Sequence, residues 1–404
     1  MATMYKRVFA DVLDIAAFLN ACRDHAMSAV FVFIMIVHTS VAVTLPAKFI
    51  GPSSILGGVW AAAVLMCLAY VAIKPIATLK AALAAWPFIG LGLWIVASIS
   101  WTVTPYETIR GGILYSASLL YALAIAATFS WDRIIKLLAW TLLVLLCLSV
   151  ALALIAPQIG QMQGELAGAW SGVWAEKQAL GFHASLALLA ALAMLWRGEQ
   201  MWVWVGAIGL SLMIIIASRS TTAIVMTGIG VGLLTWFGLF YRGFAAKLIG
   251  TWVAYAGAIL AVPLSAYAYE ALLTVSGKTS DLSGRREIWD GVRALGDMRP
   301  ELGWGYQGIW RGEQDMISPM QWIIDRAQFA PANAHSSWLD AYVQLGSPVW
   351  CCWWFVWFGL GQHFWFVAMK IFVYCPFARA ALVPSHSLAF QRPIWQCRWN
   401  SNGF

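Results

Sequence analysis

Two segments, Ser283-Gly284-Arg285-Arg286-Glu287-Ile288-Trp289 and Asn333-Ala334-His335-Ser336-Ser337-Trp338-Leu339, put paired guanidinium groups and an imidazole into one polar stretch, residues 274–337. A guanidinium grips phosphate oxygens through paired donors. An imidazole, with an unperturbed pKa of about 6.5, can take a proton from an alcohol as that alcohol bonds to its acceptor. Cations in the first turn of a helix oppose its dipole, and an anion bound there reverses the penalty. Plainer readings stand beside these: Arg285 and Arg286 as a surface pair matched with Glu287 and Asp290, and His335 as a hydrogen-bonding cap before the next apolar run.

The chain that carries this stretch is built for lipid. Of its 404 residues 61% are apolar and 11% charged, against roughly 45–50% and roughly 25% in soluble domains. Runs of about 20 apolar residues, the length that crosses a hydrocarbon core, recur along it. Alternating strands of a barrel do not, which leaves helices to satisfy the backbone. The expected fold is an all-α polytopic membrane protein of about 10–12 transmembrane helices with one large periplasmic loop carrying short helices. Nine spans are expected ahead of the polar stretch, at 29–45, 55–73, 81–99, 111–129, 134–156, 179–196, 201–217, 221–240 and 248–273. The division that follows is a cytoplasmic N-terminus over 1–28, a nine-helix bundle over 29–273, the periplasmic loop over 274–337 and C-terminal membrane segments over 338–404. No removable signal peptide is expected, since charges precede the first apolar run without a cleavage pattern. Seven cysteines, at 22, 67, 147, 351, 352, 375 and 397, have neither zinc-ligand spacing nor a disulfide framework, so no metal and no cofactor is expected.

Cations in the short loops set the orientation. With the N-terminus cytoplasmic, that face collects ten: Lys6, Arg7, Arg23, Lys74, Lys80, Arg133, Lys136, Arg197, Arg242 and Lys247. The opposite face collects four, Lys48, Arg110, Lys177 and Arg219, one per loop. The net charge of +7 is then a membrane-topology signal, and no nucleic-acid partner is implied. Four separated cations over a bundle suit a polyanion such as a lipid pyrophosphate. The plainer alternative is that they snorkel to headgroups.

Within the polar stretch, residues 285–298 predict an amphipathic helix with Ile288, Val292 and Leu295 on one face and Ser283 ahead of it as cap. Arg299-Pro300 ends that helix, and Gly303-Trp304-Gly305-Tyr306 predicts a turn. Asn333 or Ser336 is the expected cap of a helix beginning near Trp338. Gly228, Gly230 and Gly232 predict close helix packing.

The Gly-Arg-x-x-x-Trp segment at 284–289, the turn Arg299-Pro300-Glu301-Leu302-Gly303-Trp304-Gly305, the Asn333-Ala334-His335-Ser336 run and Gln344-Leu345-Gly346 together resemble the O-antigen ligase and polymerase superfamily, which includes exopolysaccharide polymerases and protein O-oligosaccharyltransferases. Fainter similarity runs through residues 100–110, 174–181 and 218–221. The resemblance implies an inverting, metal-independent glycosyltransferase of the bacterial inner membrane, moving a glycan from an undecaprenyl-pyrophosphate-linked oligosaccharide donor to a hydroxyl of a glycan or lipid A-core acceptor, alongside polysaccharide assembly partners. It implies that His335 is the general base or acceptor-orienting group. Arg285 and Arg219 would hold the pyrophosphate, with Arg110, Lys177 and Arg286 as further substrate contacts. Gln178 stands where the family often has Asn after the lysine, and Ser336 where it often has Asn after the histidine.

After Gly346 the composition changes: residues 341–404 hold no Asp or Glu, and four of the seven cysteines and seven of the 25 tryptophans follow Ser347. A shifted reading frame or truncation after about residue 347 is the expected cause. The rival from another class is a transporter or flippase for a polar or lipid-linked solute, which would keep ionisable groups at mid-span. An intramembrane serine protease has only Ser171-Gly172 to offer.

Overall fold

Lipid supplies no hydrogen bonds, so each apolar run must close its own backbone, and in the computed structural model each described run does so as helix. The structure describes residues 24–51, 55–240, 245–246, 248–253, 255–257, 285–310, 321, 324, 333–334 and 336–349. Helices are α1 (Asp24–His38), α2 (Val41–Ile50), α3 (Ile55–Ile73), α4 (Pro75–Ala84), α5 (Trp86–Ala97), α6 (Pro105–Thr128), α7 (Trp131–Ile155), α8 (Pro157–Gly160), α9 (Lys177–Trp196), α10 (Met201–Ala217), α11 (Thr221–Phe240), α12 (Arg285–Met298) and α13 (Ser337–Leu345). Among the described residues no strand forms beyond one isolated bridge, Gln161 to Trp170. Four helices there are long and apolar enough to cross a membrane, six if each of two bent pairs counts as one span. The protein is a multi-pass helical membrane protein.

Three expectations need correction. The first span is bent by 62° between α1 and α2. Thr39 turns its hydroxyl back on Ile36 O, Ser40 adopts a left-handed φ of 64°, and the Trp174 indole donates to Thr39 O at 3.0 Å. The third span, expected at 81–99, is divided between α4 and α5, because Pro87 at the head of α5 lacks the N–H that would continue α4. Its first half continues from α3 through a 105° bend at Lys74-Pro75. Finally, α6 starts at Pro105, so Arg110 sits in its second turn and not in a loop. The ranges 55–73, 201–217, 221–240 and 285–298 are helices with the expected limits. Most of the ninth span and all of Ser283 lie outside the described residues.

Helix α9 is the hub, packing on α7, α10 and α11. Small residues let the backbones close in where lipid gives no hydrophobic drive. A Cβ at Gly181 would lie 2.8 Å from Ala223 Cβ, and one at Gly230 2.6 Å from Leu189 Cδ1. Gly228 and Gly232 face open space, so only the middle glycine of that trio performs the expected packing. Ser185 donates to Ala223 O at 3.0 Å and receives the Thr227 hydroxyl at 2.8 Å, tying α9 to α11 inside the bundle.

The bundle's two ends differ in chemistry. At one, Arg133 reaches Asp24 O and Ser28 Oγ, both at 2.6 Å, Arg197 pairs with Asp132, and Lys136 meets Glu199 at 2.7 Å. Lys136, then Arg197, holds the Glu199 carboxyl below its ordinary range. At the other end, α12, the turn after it and α13 dock on the α5–α6 corner. That small unit has its own core of Ile288, Val292, Leu295, Ile309, Trp310, Ala334 and Val343. The helical stripe expected from the sequence is its base, with Ile288 and Val292 fully buried.

Candidate functional site

The turn after α12 exists to close the end of α13. A helix leaves its last four carbonyls unpaired, and here each finds a donor. Gly346 N–H bonds Tyr342 O, Trp304 N–H bonds Val343 O at 2.9 Å, Gly305 N–H bonds Gln344 O at 2.9 Å, and the Trp94 indole bonds Leu345 O at 3.0 Å. Such intimacy requires glycine. A Cβ on Gly303 (φ 65°) would lie 2.5 Å from Gln344 C, and one on Gly305 (φ 94°) 2.3 Å from Thr102 Oγ1.

The bundle supplies a socket of hydroxyls and indoles for the same turn. Ser98 Oγ accepts from Tyr306 N–H at 3.2 Å, the Trp101 indole donates to Leu302 O at 2.9 Å, and Thr104 Oγ1 donates to Gly308 O at 2.7 Å. Arg299 stacks on Trp304, 4.1 Å from its ring centre. None of these socket residues carries a recognisable motif on its own, because their partners lie about two hundred residues away in sequence. Trp101 and Thr104 fall within the faint similarity at 100–110, but sequence reasoning gave none of the socket residues this docking role.

Among the described residues, a hydrogen bond joins the two motif segments beside the apolar core they share. Trp289, in the second turn of α12, donates its indole N–H to Ala334 O at 2.9 Å. Ala334 is fully buried, and its own N–H bonds Asp340 Oδ1 at 3.1 Å, fixing the chain just ahead of α13. The helix whose first two residues are Arg285 and Arg286 is thereby held against the residue preceding His335. His335 itself, and the side chains of Arg285 and Arg286, lie outside the described residues. Ser336 occupies the cap position of α13 without a side-chain cap bond, and Asp340, inside the helix, instead accepts the Ala334 N–H of the segment that leads into it.

Arg110 belongs to this same corner. Its guanidinium is 3.7 Å from Glu107 and half exposed, and a Cβ on the adjacent Gly111 would lie 2.8 Å from Gln307 Cγ. Arg219 and Lys177 form a second group. The loop of Arg219 presses on α9 at Gly181, one turn past Lys177. Arg219 is exposed between buried Ser218 and Ser220, and holds a left-handed φ of 49°. Lys177 opens α9, where a cation opposes the helix dipole.

Lys48, the last of the four cations grouped by the sequence, points inward. Its ammonium donates to Ile159 O at 2.9 Å, Gly172 O at 2.8 Å and Ser171 Oγ at 3.1 Å. The structure thus pairs a lysine with the one serine a protease reading could use. Two backbone carbonyls and the Ser171 hydroxyl hold the Lys48 Nζ. Lys48 is a staple between α2 and the 157–172 segment.

A multi-pass membrane fold with a compact polar unit seated on one end agrees with what the comparisons return. Residues 206–354, which contain most of α10, all of α11 to α13 and both motif segments, match the family model described as O-antigen ligase. The exopolysaccharide production protein ExoQ of Rhizobium meliloti (strain 1021) is 26% identical over 272 residues, covering 63% of this chain and 61% of that protein. The chain therefore spans about three-fifths of the length of the curated relative it matches. No solved structure matches. Over residues 206–354 the chain is thus similar to the O-antigen ligase family, and over 272 residues to an exopolysaccharide production protein.

Proposed function

We propose that the protein is an inner-membrane glycosyltransferase that transfers or polymerises an undecaprenyl-pyrophosphate-linked oligosaccharide onto a glycan hydroxyl. The observation that carries this reading is the Trp289–Ala334 hydrogen bond, which joins the arginine-bearing helix to the histidine-bearing segment. In the reaction the acceptor oxygen bonds to the anomeric carbon of the donor sugar as the bond from that carbon to the pyrophosphate oxygen breaks, inverting the centre. His335 takes the acceptor proton, worth roughly 10² to 10⁴ in rate. Arg285 and Arg286, at the positive end of α12, meet the charge developing on the leaving pyrophosphate, and Arg110, Arg219 and Lys177 extend that cationic surface. No metal is invoked, because the guanidinium groups supply the compensation. The stretch 274–337 faces the periplasm, where the lipid-linked donor is presented.

The bent spans are the feature on which a transport reading would stand. Neither break contains an Asp or Glu, and the Thr39 carbonyl at the first is capped by Trp174.

His335→Ala and Arg285→Ala should each abolish polymer or ligated glycan in a deletion strain complemented with the variant, while membrane levels of the protein match wild type. Normal glycan from both variants overturns the proposal in favour of transport.

A further inference from the structure

The segment between α7 and α9 contains a small hairpin, and its tip lies against the guanidinium of Arg219. Met162 N–H bonds Ala169 O at 2.8 Å, and Gln161 and Trp170 form an antiparallel bridge. At the tip, Ala167 (φ −49°, ψ 137°) and Gly168 (φ 82°) are the central residues of a type II turn, closed by Ala169 N–H on Leu166 O at 3.1 Å. That turn requires a positive φ at its third residue, which glycine supplies without strain. Two clamps fix the hairpin. Its base is held by Ser171 N–H and Gly172 N–H on Gly160 O, both at 2.9 Å, and by the Lys48 bonds that reach it from α2. Its returning arm is held to the end of α10, where Trp170 N–H bonds Ala217 O at 3.0 Å, two residues ahead of Arg219. A Cβ at Gly168 would lie 3.8 Å from Arg219 Nη2.

The hairpin brings no cation of its own, since residues 157–176 contain neither Lys nor Arg. What it can do is decide where a guanidinium waits. A long exposed side chain loses rotamer freedom on binding, and a wall that seats it in advance reduces that loss. Arg219 is such a side chain, exposed on a strained backbone and beside a turn with no side chain to cover it. We infer that the 161–170 hairpin positions Arg219 for the lipid-linked pyrophosphate, with Gly168 keeping the approach to its guanidinium open and Lys48 fixing the hairpin from α2. Gly168 and Lys48 are positioning residues that act through Arg219. The bend at Ser40 belongs to the same arrangement, because residues on both sides of it bond this segment: Thr44 Oγ1 donates to Val173 O at 3.1 Å, and Thr39 O accepts the Trp174 indole. The inference deepens the transfer reading and rests on it.

The test measures binding of radiolabelled undecaprenyl pyrophosphate to the full chain in lipid nanodiscs. Arg219→Gln should weaken binding about tenfold or more, as loss of a charge-assisted contact. Gly168→Val, which puts bulk against the guanidinium, and Lys48→Met, which releases the hairpin base while keeping an apolar stem, should each weaken it about threefold or more. In the Arg219→Gln background neither should have a further effect, because a residue that acts only through Arg219 then has nothing to position. Losses of the same size in both backgrounds would mean a general loosening of the fold and overturn the inference. So would wild-type affinity in Gly168→Val and Lys48→Met, or in Arg219→Gln itself. If one of the two hairpin variants fails to accumulate, the other decides alone. A wild-type chain that binds no lipid pyrophosphate sinks the transfer reading and this inference together, whereas tight wild-type binding that the hairpin variants leave unchanged sinks the hairpin's role only.

Discussion

Arg219 is held at φ 49° in a loop of three residues, a conformation that costs a non-glycine residue about 1 kcal/mol. Flanking Ser218 and Ser220 are buried and fix the loop whatever side chain stands between them. Strain kept at an exposed cation points to the side chain's use, and the two contributions can be separated. Arg219→Gly should raise thermal stability, by about 0.5–1 kcal/mol, and still depress glycan synthesis. A variant that is both more stable and fully active would leave Arg219 without a role in binding the donor. Lys48 shows the opposite case, a cation whose three bonds to the 157–172 segment account for it fully.

The docked unit depends on a few close approaches between elements. Gly303 and Gly346 both have positive φ, and a Cβ on either would come within about 2.5 Å of the other segment's backbone. Gly303→Ala should therefore undock the turn from the end of α13, exposing the unit to limited proteolysis in nanodiscs while the bundle helices stay protected. An unchanged cleavage pattern would show that the turn tolerates a side chain. Leu295 contributes differently, through volume: truncation to Ala should cost about 2–5 kcal/mol of the unit's stability. Much of this was legible in advance. The Ile288, Val292, Leu295 stripe, the helix limits 285–298 and the turn at Gly303 follow from periodicity and from glycine and proline punctuation. The bend at Ser40 and the break at Ala85 were missed because an apolar run reads the same whether one helix or two cross it. The docking role of Trp94, and of Trp101, Thr102 and Thr104 inside the faint similarity at 100–110, was not legible for another reason: an indole or hydroxyl in an interfacial turn announces no partner, and theirs are set by tertiary docking.

For the whole molecule, the two ends carry different kinds of charge. One is knitted by Arg133, Lys136, Arg197 and their carboxylates into a set of partly exposed ion pairs. The other presents Arg219, Arg110 and the first turn of α12 around a seated unit. The positive-inside rule reads the first as cytoplasmic, so an epitope at Gln314 should be labelled on intact spheroplasts while one at Arg242 is labelled only after lysis. Protection of Gln314 until lysis reverses the orientation and removes the proposed reaction from the periplasm. The family match across residues 206–354 was legible in the motifs because glycine, tryptophan, arginine and histidine stand there at fixed offsets. The choice between ligation and polymerisation was not, since both use one donor chemistry and differ in the acceptor.

The socket for the polar unit is laid down by residues 94–111, made long before residues 299–349 leave the ribosome. Exchange of the polar unit alone between two relatives would strand Thr102, Thr104 and both indoles opposite foreign backbone. Swaps meant to transplant acceptor preference should therefore carry the α5–α6 corner along with the unit, as one inherited block.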